Sequence, residues 1–96
     1  METKYMESKQ MIEFDNNHGF ELEYHLIEKW QEDFNDEPLY GVQITKTEND
    51  SVEVERFDGI THSKELASDL LTKLLTHTIT PIVMLEVIDE FISEYV

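Results

Sequence analysis

The sequence predicts an α+β domain in which a four-stranded antiparallel meander is packed on one face by a C-terminal helical hairpin, in the order ββββαα. Two observations lead to this prediction. Apolar and polar residues alternate in several segments of residues 11–55, as in half-buried strands. In residues 61–96 the apolar residues recur at helical spacing instead. The short connections between the strands favour antiparallel pairing of neighbours.

The first strand is predicted within residues 11–15, and a turn follows because Asn and Gly tolerate positive φ. The clearest alternation is in the second strand, residues 20–27. The third and fourth strands are expected at residues 40–45 and 52–55. Polar residues 1–10 are predicted to be a flexible N-terminal tail, which leaves residues 11–96 as a single domain. The expected inward-facing strand residues are Phe20, Leu22, Tyr24, Tyr40, Val42, Ile44, Val52 and Val54.

Both helices carry start signals and apolar stripes. Thr61 or Ser63 can accept a backbone N–H at the start of the first helix. Thr80 and Pro81 then begin the second helix, because Pro at the first helical position loses no hydrogen bond. The second helix has an apolar arc so wide that it must contact more than one neighbour. The arc consists of Met84, Leu85, Val87, Ile88, Phe91, Ile92 and Tyr95.

Composition excludes several classes of function. The chain has 96 residues with 22 acids against 7 Lys and Arg, a net charge of −15, and no cysteine. No disulfide framework or thiolate zinc site can therefore form. The charge disfavours direct binding to nucleic acid and to anionic membranes. The sequence also shows no apolar run of membrane-spanning length and no signal-peptide pattern, so we expect a cytoplasmic protein.

The charge pattern predicts an acidic surface on the sheet. With the meander facing its apolar residues to the helices, Glu13, Glu21, Glu23, Glu53 and Glu55 should all lie on the opposite face. Like charges on neighbouring strands are destabilising. Such a face can bind a basic protein or imitate nucleic-acid phosphates, or it can be a solvated face that keeps edge strands from pairing.

A loop with two aromatic residues continues the acidic segment. Trp30 and Phe34 stand among acids that include Asp33. The aromatic rings can anchor a basic partner, or Trp30 can cover the core at the end of the second strand. The candidate partner-binding residues are therefore Glu21, Glu23, Glu53, Glu55, Trp30 and Asp33.

The sequence offers no pattern that is typical of a metal site or an enzyme. Glu21, Glu23 and His25 share one strand face, but each step of two residues is about 7 Å, too far for one ion to take all three. Residues 15–26 fail as a calcium loop because Leu26 stands where the bidentate Glu belongs. Phosphate loops, nucleophile elbows and zinc-protease helices are absent. We therefore expect no catalysis, no metal and no cofactor.

Four stretches form a pattern: the strand sequence Tyr-Gly-Val-Gln-Ile-Thr-Lys at residues 40–46, the start of the first helix at residues 60–63, the Ile79-Thr80-Pro81 link, and residues 87–92 of the final helix. In these stretches the chain resembles a family of small uncharacterised proteins from Gram-positive bacteria. The match comprises the strand and the helical hairpin of residues 61–92. The resemblance implies the same fold and a domain of unknown function, and it supplies no catalytic residue.

The sequence thus predicts a small acidic protein-interaction or regulatory module whose partner has a basic surface. The alternative is a phage or mobile-element antagonist that mimics nucleic acid and occupies a nucleic-acid-handling protein. The final helix can also contribute its apolar arc to a homodimer, or bury that arc against the sheet. The sequence leaves this choice open.

Overall fold

A computed structural model describes residues 1–15, 18–30 and 37–94 of the chain. The strands are β1 (Glu2–Asp15), β2 (His18–Lys29), β3 (Leu39–Glu48) and β4 (Ser51–Thr61), and the helices are α1 (Lys64–Thr76) and α2 (Pro81–Ser93). The strands form one antiparallel sheet in the order β1-β2-β3-β4. This confirms the predicted ββββαα fold.

One face of the sheet carries the core, and both helices pack on it. We call it the helix face, and we call the other side of the sheet the open face. The helix face contributes Leu22, Tyr24, Leu26, Tyr40, Val42 and Ile44, and the helices contribute Ala67, Leu70, Leu71, Leu74, Met84, Ile88 and Phe91. α1 spans β2 to β4, whereas α2 lies over β3 and β4.

Residues 2–10, predicted as part of a flexible tail, lie in β1 instead. Tyr5 pairs with Leu26 in β2, and the Met1 carbonyl oxygen accepts the Trp30 N–H at 2.8 Å. An edge strand can be held by backbone hydrogen bonds to one neighbour, so it does not need a regular apolar pattern. The polar composition that suggested a tail is therefore compatible with a strand.

The structure corrects the prediction that Val52 and Val54 belong to the core. Phe57 pairs with Val42 and therefore faces the helices, whereas Val54 pairs with Thr45 on the open face. Val52 and Val54 are 61% and 54% exposed. Alternation separates the side chains of a strand into two sets, but it does not say which set is buried. Here Phe57 packs against the core and fixes the choice.

A bend in β4 begins after Phe57, where the pairing with β3 shifts register before Thr61. Gly41 in β3 allows β4 to approach closely, because a Cβ there would lie 2.3 Å from the Phe57 carbonyl oxygen. Gly59 adopts a φ of +63° within the bend, a conformation that glycine reaches without steric cost.

The predicted helix starts lie close to where the structure has them. Ser63 caps α1, and its Oγ accepts the Leu66 N–H at 3.1 Å. The Thr61 hydroxyl accepts the N–H of Ser63 at 3.0 Å, one step earlier. Thr80 is extended and Pro81 begins α2, with no side-chain capping hydrogen bond from Thr80.

The turn between the helices is closed by two backbone hydrogen bonds. The Ile79 N–H donates to the Leu74 carbonyl at 3.0 Å and the Thr78 N–H donates to Leu75 at 3.3 Å. This is the Schellman pattern, in which the residue after the helix adopts positive φ. That residue is Thr78, with φ of 51°. A β-branched residue is strained in this region.

Tyr24 links this turn to the sheet. It lies in the middle of β2, and its side chain is fully buried. Its hydroxyl donates to the Ile79 carbonyl oxygen at 2.9 Å. Burial raises the pKa of Tyr24 to about 12.

Replacing Thr78 with glycine should stabilise the protein. The left-handed conformation costs an L-residue about 1–2 kcal/mol, and glycine removes this cost. Glycine also makes the unfolded chain more flexible, which lowers the free energy of unfolding by about 0.5–1 kcal/mol. A net gain of roughly 0.5–1 kcal/mol in the free energy of unfolding should appear in urea denaturation. The control Thr72→Gly, inside α1, should lose stability. A T78G protein no more stable than wild type would contradict the strain at this turn.

Tyr24→Phe should lower the free energy of unfolding at neutral pH. It should also make the free energy of unfolding fall less at alkaline pH than it does in the wild type. The lost hydrogen bond should cost about 0.5–1.5 kcal/mol at pH 8. The folded pKa of Tyr24 is raised above the ordinary value near 10, so its contribution is complete below pH 10 and is lost as pH rises towards 12. By pH 11 the wild type should lose about 1.4 kcal/mol that Y24F keeps. Equal pH slopes in urea denaturation would contradict this.

Candidate interaction surfaces

The open face does not form the predicted acidic surface, because its charges nearly balance. The pairing registers place four acids there, and Lys9 binds Glu21 at 2.9 Å. Four of the seven basic residues of the chain share this face with them. The acids are Glu2, Glu13, Glu21 and Glu23, with Asp58 added beside Arg56 where the register of β4 shifts, and the bases are Lys4, Lys9, Lys29 and Arg56.

Glu53 and Glu55 lie on the side of the sheet opposite Glu21 and Glu23. Glu55 pairs with Ile44, which faces the helices. The structure therefore does not bring the four predicted glutamates together. The reason is the same β4 register that exposes Val52 and Val54.

An ion-pair cluster joins the two edges of the sheet across the open face. The Arg56 guanidinium of β4 donates from Nη1 to the Glu2 carboxylate of β1 at 3.0 Å, and it also binds Asp58. Because β1 and β4 are the outermost strands, this contact requires the sheet to curl. Ile27 and Gln43, from the two central strands, are buried on this face. We call the set of Glu2, Arg56 and Asp58 the clasp.

The clasp shifts the titration of its members. The Arg56 guanidinium lowers the pKa of the Glu2 carboxyl through its hydrogen bond. Hydrogen bonds to Glu2 and then Asp58 raise the pKa of Arg56. The clasp therefore forms above the usual pH range of carboxyl titration. It weakens as pH falls through the lowered pKa of Glu2.

Trp30 is an exposed ring rather than a part of the core. Its side chain is 42% exposed, and its Nε1 donates to Glu28 at 3.1 Å. The same carboxylate accepts hydrogen bonds from the hydroxyls of Tyr5 and Tyr40. Asp33, the other candidate of the acidic loop, lies outside the described residues.

A cavity of about 390 Å³ lies at the hairpin ends, where β1 meets β2 and the β3–β4 turn approaches. Its lining combines the apolar Ile12 and Phe20 with Glu13 and Asp15. The His18 Nδ1 lies 2.6 Å from the Asp15 carboxylate. Within residues 1–15, 18–30 and 37–94, no group of three His, Asp or Glu side chains is placed to hold a metal ion.

The helix α2 has two side-chain rows of the same spacing, displaced by one residue. The inner row faces the core and is buried, while the outer row is at least partly exposed. Ile82 at the start of the outer row is 80% exposed and Leu85 is 44% exposed. The arc predicted from the sequence contains residues of both rows, such as Met84 and Leu85, but it does not include Ile82. The inner row is Pro81, Met84, Ile88 and Phe91, and the outer row is Ile82, Leu85, Asp89 and Ile92.

The acids of α2 have no basic residue in the same helix to balance them. Glu86 lies just before the middle of the helix, Asp89 and Glu90 lie in its second half, and Glu94 is its C-cap. A helix carries partial negative charge at its C-terminus, so acids there are destabilising. This arrangement costs stability and concentrates negative charge beside exposed apolar side chains.

Neither helix in the described part of the chain combines the length and apolar character needed to cross a bilayer.

Comparison with known proteins assigns a family but no activity. The profile of a family of unknown function, DUF6514, matches residues 3–94. This agrees with the resemblance drawn from the sequence, which also led to a domain of unknown function. No curated protein and no solved structure matches the chain.

Replacing Arg56 should loosen the first half of β1 without unfolding the protein. In Arg56→Gln, the amides of residues 3–6 should exchange hydrogen faster, while those of residues 10–12 should be unchanged. Wild type should show the same loosening when pH falls through the lowered pKa of Glu2. Lys9→Gln removes another cation of the open face and serves as control. Equal exchange in both variants would contradict the clasp.

Proposed function

Since the chain belongs to the DUF6514 family, for which no function is assigned, we propose that it is a small cytoplasmic protein-interaction or regulatory module. In this proposal it binds a protein with a basic surface and catalyses no reaction. The observation that supports it most directly is the run of unbalanced acids on α2.

The unfavourable position of these acids is an argument for a role in binding. Each acid near a helix C-terminus costs about 0.3–1 kcal/mol, and a cation there would gain a similar amount. A protein of this size has a total stability of only about 5–15 kcal/mol. Acids that serve only solubility can lie elsewhere at no such cost. A basic partner would offset the unfavourable interaction of these acids with the helix dipole, and it would also offset the repulsion between the acids themselves.

The position of the other acids favours binding over catalysis. Glu21 and Glu23 lie on the open face, and Glu53 and Glu55 lie on the helix face. Acid–base chemistry by a pair of carboxylates requires both of them at one reacting centre. The sheet separates these two pairs, which sequence analysis placed together.

A nucleic-acid mimic from a phage or mobile element remains the second candidate. Glu53 and Glu55 follow each other on an edge strand at about 7 Å per two residues, which is close to the spacing of successive phosphates. With the acids of α2, they lie on the helix side of the molecule. Such an antagonist would bind a nucleic-acid-handling protein in competition with DNA or RNA.

Reversing one charge near the end of α2 should stabilise the protein and weaken its binding to the partner. Glu90→Lys should raise the free energy of unfolding by about 0.3–1 kcal/mol, because a cation suits the helix C-terminus. Capture of basic proteins from an extract of the native host should decrease, and wild-type capture should weaken steeply with salt. Thermal denaturation and a salt series of captures measure the two effects.

The matched control is Glu23→Lys, which makes the same charge change on the open face. It should leave capture unchanged. Capture that is insensitive to salt, or that E90K retains in full, would overturn the proposed function. Competition of the captured protein by DNA or RNA would identify the mimic.

A further inference from the structure

The outer row of α2 has the spacing of a helix-packing surface. Ile82, Leu85, Asp89 and Ile92 follow one another at intervals of 3, 4 and 3 residues, which is the spacing of the a and d positions of a heptad. The inner row of α2 has the same intervals and packs on the core. One helix therefore presents two packing rows about 100° apart, and the core occupies the inner one.

The outer row is accessible over most of its length. Ile82 is 80% exposed and Leu85 is 44% exposed, and Asp89 is exposed as well. α1 contacts the inner row instead, where the Lys73 Nζ lies 5.7 Å from the centroid of the Phe91 ring. Ile92 ends the outer row half-buried and packed against the core.

The chemistry of the row specifies its occupant. Ile82 and Leu85 offer an apolar anchor, and Asp89 places one negative charge between Leu85 and Ile92. The Asp89 carboxylate has no hydrogen-bond or ion-pair partner among the described residues. A polar residue at an a position costs stability and selects its opposite residue. When the partner docks, a cation opposite Asp89 would lose its hydration but would form an ion pair with the Asp89 carboxylate.

A second copy of the chain is a poor occupant. It would bring a second Asp89, with Glu86 and Glu90 beside it, against the same charges. Like charges across an interface cost several kcal/mol. A basic helix instead complements both the apolar and the acidic half.

We propose that the outer row of α2 docks one amphipathic helix of the basic partner and that Asp89 selects a Lys or Arg in that helix. This inference rests on the proposed function, which supplies the basic charge of the partner. It adds that the binding surface is the outer row and that the bound element of the partner is a helix. The row from Ile82 to Ile92 spans about 15 Å, at 1.5 Å per residue. The partner therefore needs about three helical turns, with apolar residues at heptad spacing interrupted by one cation.

Two synthetic helical peptides test the selection by Asp89. Both have Ile and Leu at the seam positions and differ only at one central a position, which is Lys in one peptide and Glu in the other. Wild type should bind the Lys peptide about tenfold more tightly, as a single charge pair can give. Asp89→Lys should invert the preference. Glu23→Lys on the open face should preserve it. Fluorescence anisotropy measures all six affinities.

The apolar anchor is tested separately. Ile82→Ser should weaken binding of both peptides about tenfold, the effect of removing an interface anchor. Met11→Ser, at a 70% exposed site on the open face, is the matched control and should have no effect. Thermal denaturation should show that both variants remain folded, because each replaced side chain is largely exposed.

Several outcomes would overturn the inference. One is equal binding of the two peptides by wild type, and another is an unchanged preference in D89K. A third is a wild-type dimer in sedimentation that I82S converts to monomer, since the row would then hold a second copy. If the peptides fail but Glu90→Lys still abolishes salt-sensitive capture, the proposed function stands and this docking site is wrong. If salt-sensitive capture is absent while D89K inverts the peptide preference, the docking site stands alone.

Discussion

The hydrogen bond from the Tyr24 hydroxyl to the Ile79 carbonyl fixes the helical layer to the sheet. It joins the middle of a central strand to the residue between the two helices. Because α2 begins two residues later, the bond helps set where that helix starts and which of its sides meets the core. Burial of the inner row then leaves the outer row exposed. The orientation of the candidate docking surface thus depends on a buried contact some distance away from it.

The distribution of charge follows from the pairing of β3 with β4. Since Phe57 occupies the core position, the valines of β4 turn outward and its glutamates turn to the helix face. The open face keeps acids and bases in nearly equal numbers and is spanned by the clasp. A net charge of −15 is therefore not spread evenly. On α2 the acids have no basic residue in the same helix, so negative charge is concentrated there.

Sequence reasoning predicted the order of the elements, the helix stripes and the proline start of α2, because each depends on local chemistry. It assigned the two sets of β4 side chains to the wrong faces of the sheet. Alternation alone does not say which set is buried, and the contact of Phe57 with the core determines this. Sequence reasoning also missed residues 2–10 of β1, which are held by backbone pairing with β2 and by the clasp. The two rows of α2 are visible in the sequence, because the same 3-4-3 spacing of residues begins once at Pro81 and once at Ile82. Which row is buried depends on tertiary packing.

The irregular pairing of β1 bears on how the protein stays dispersed. Met6 pairs with His25 and Ser8 with Tyr24, so Glu7 is an extra residue that forms a bulge in this edge strand. A long regular edge offers unpaired backbone groups to other chains and promotes fibril-like stacking. The bulge twists the edge and puts a carboxylate in the middle of it. Pairing of this edge strand with the edge strand of a second copy is thereby disfavoured.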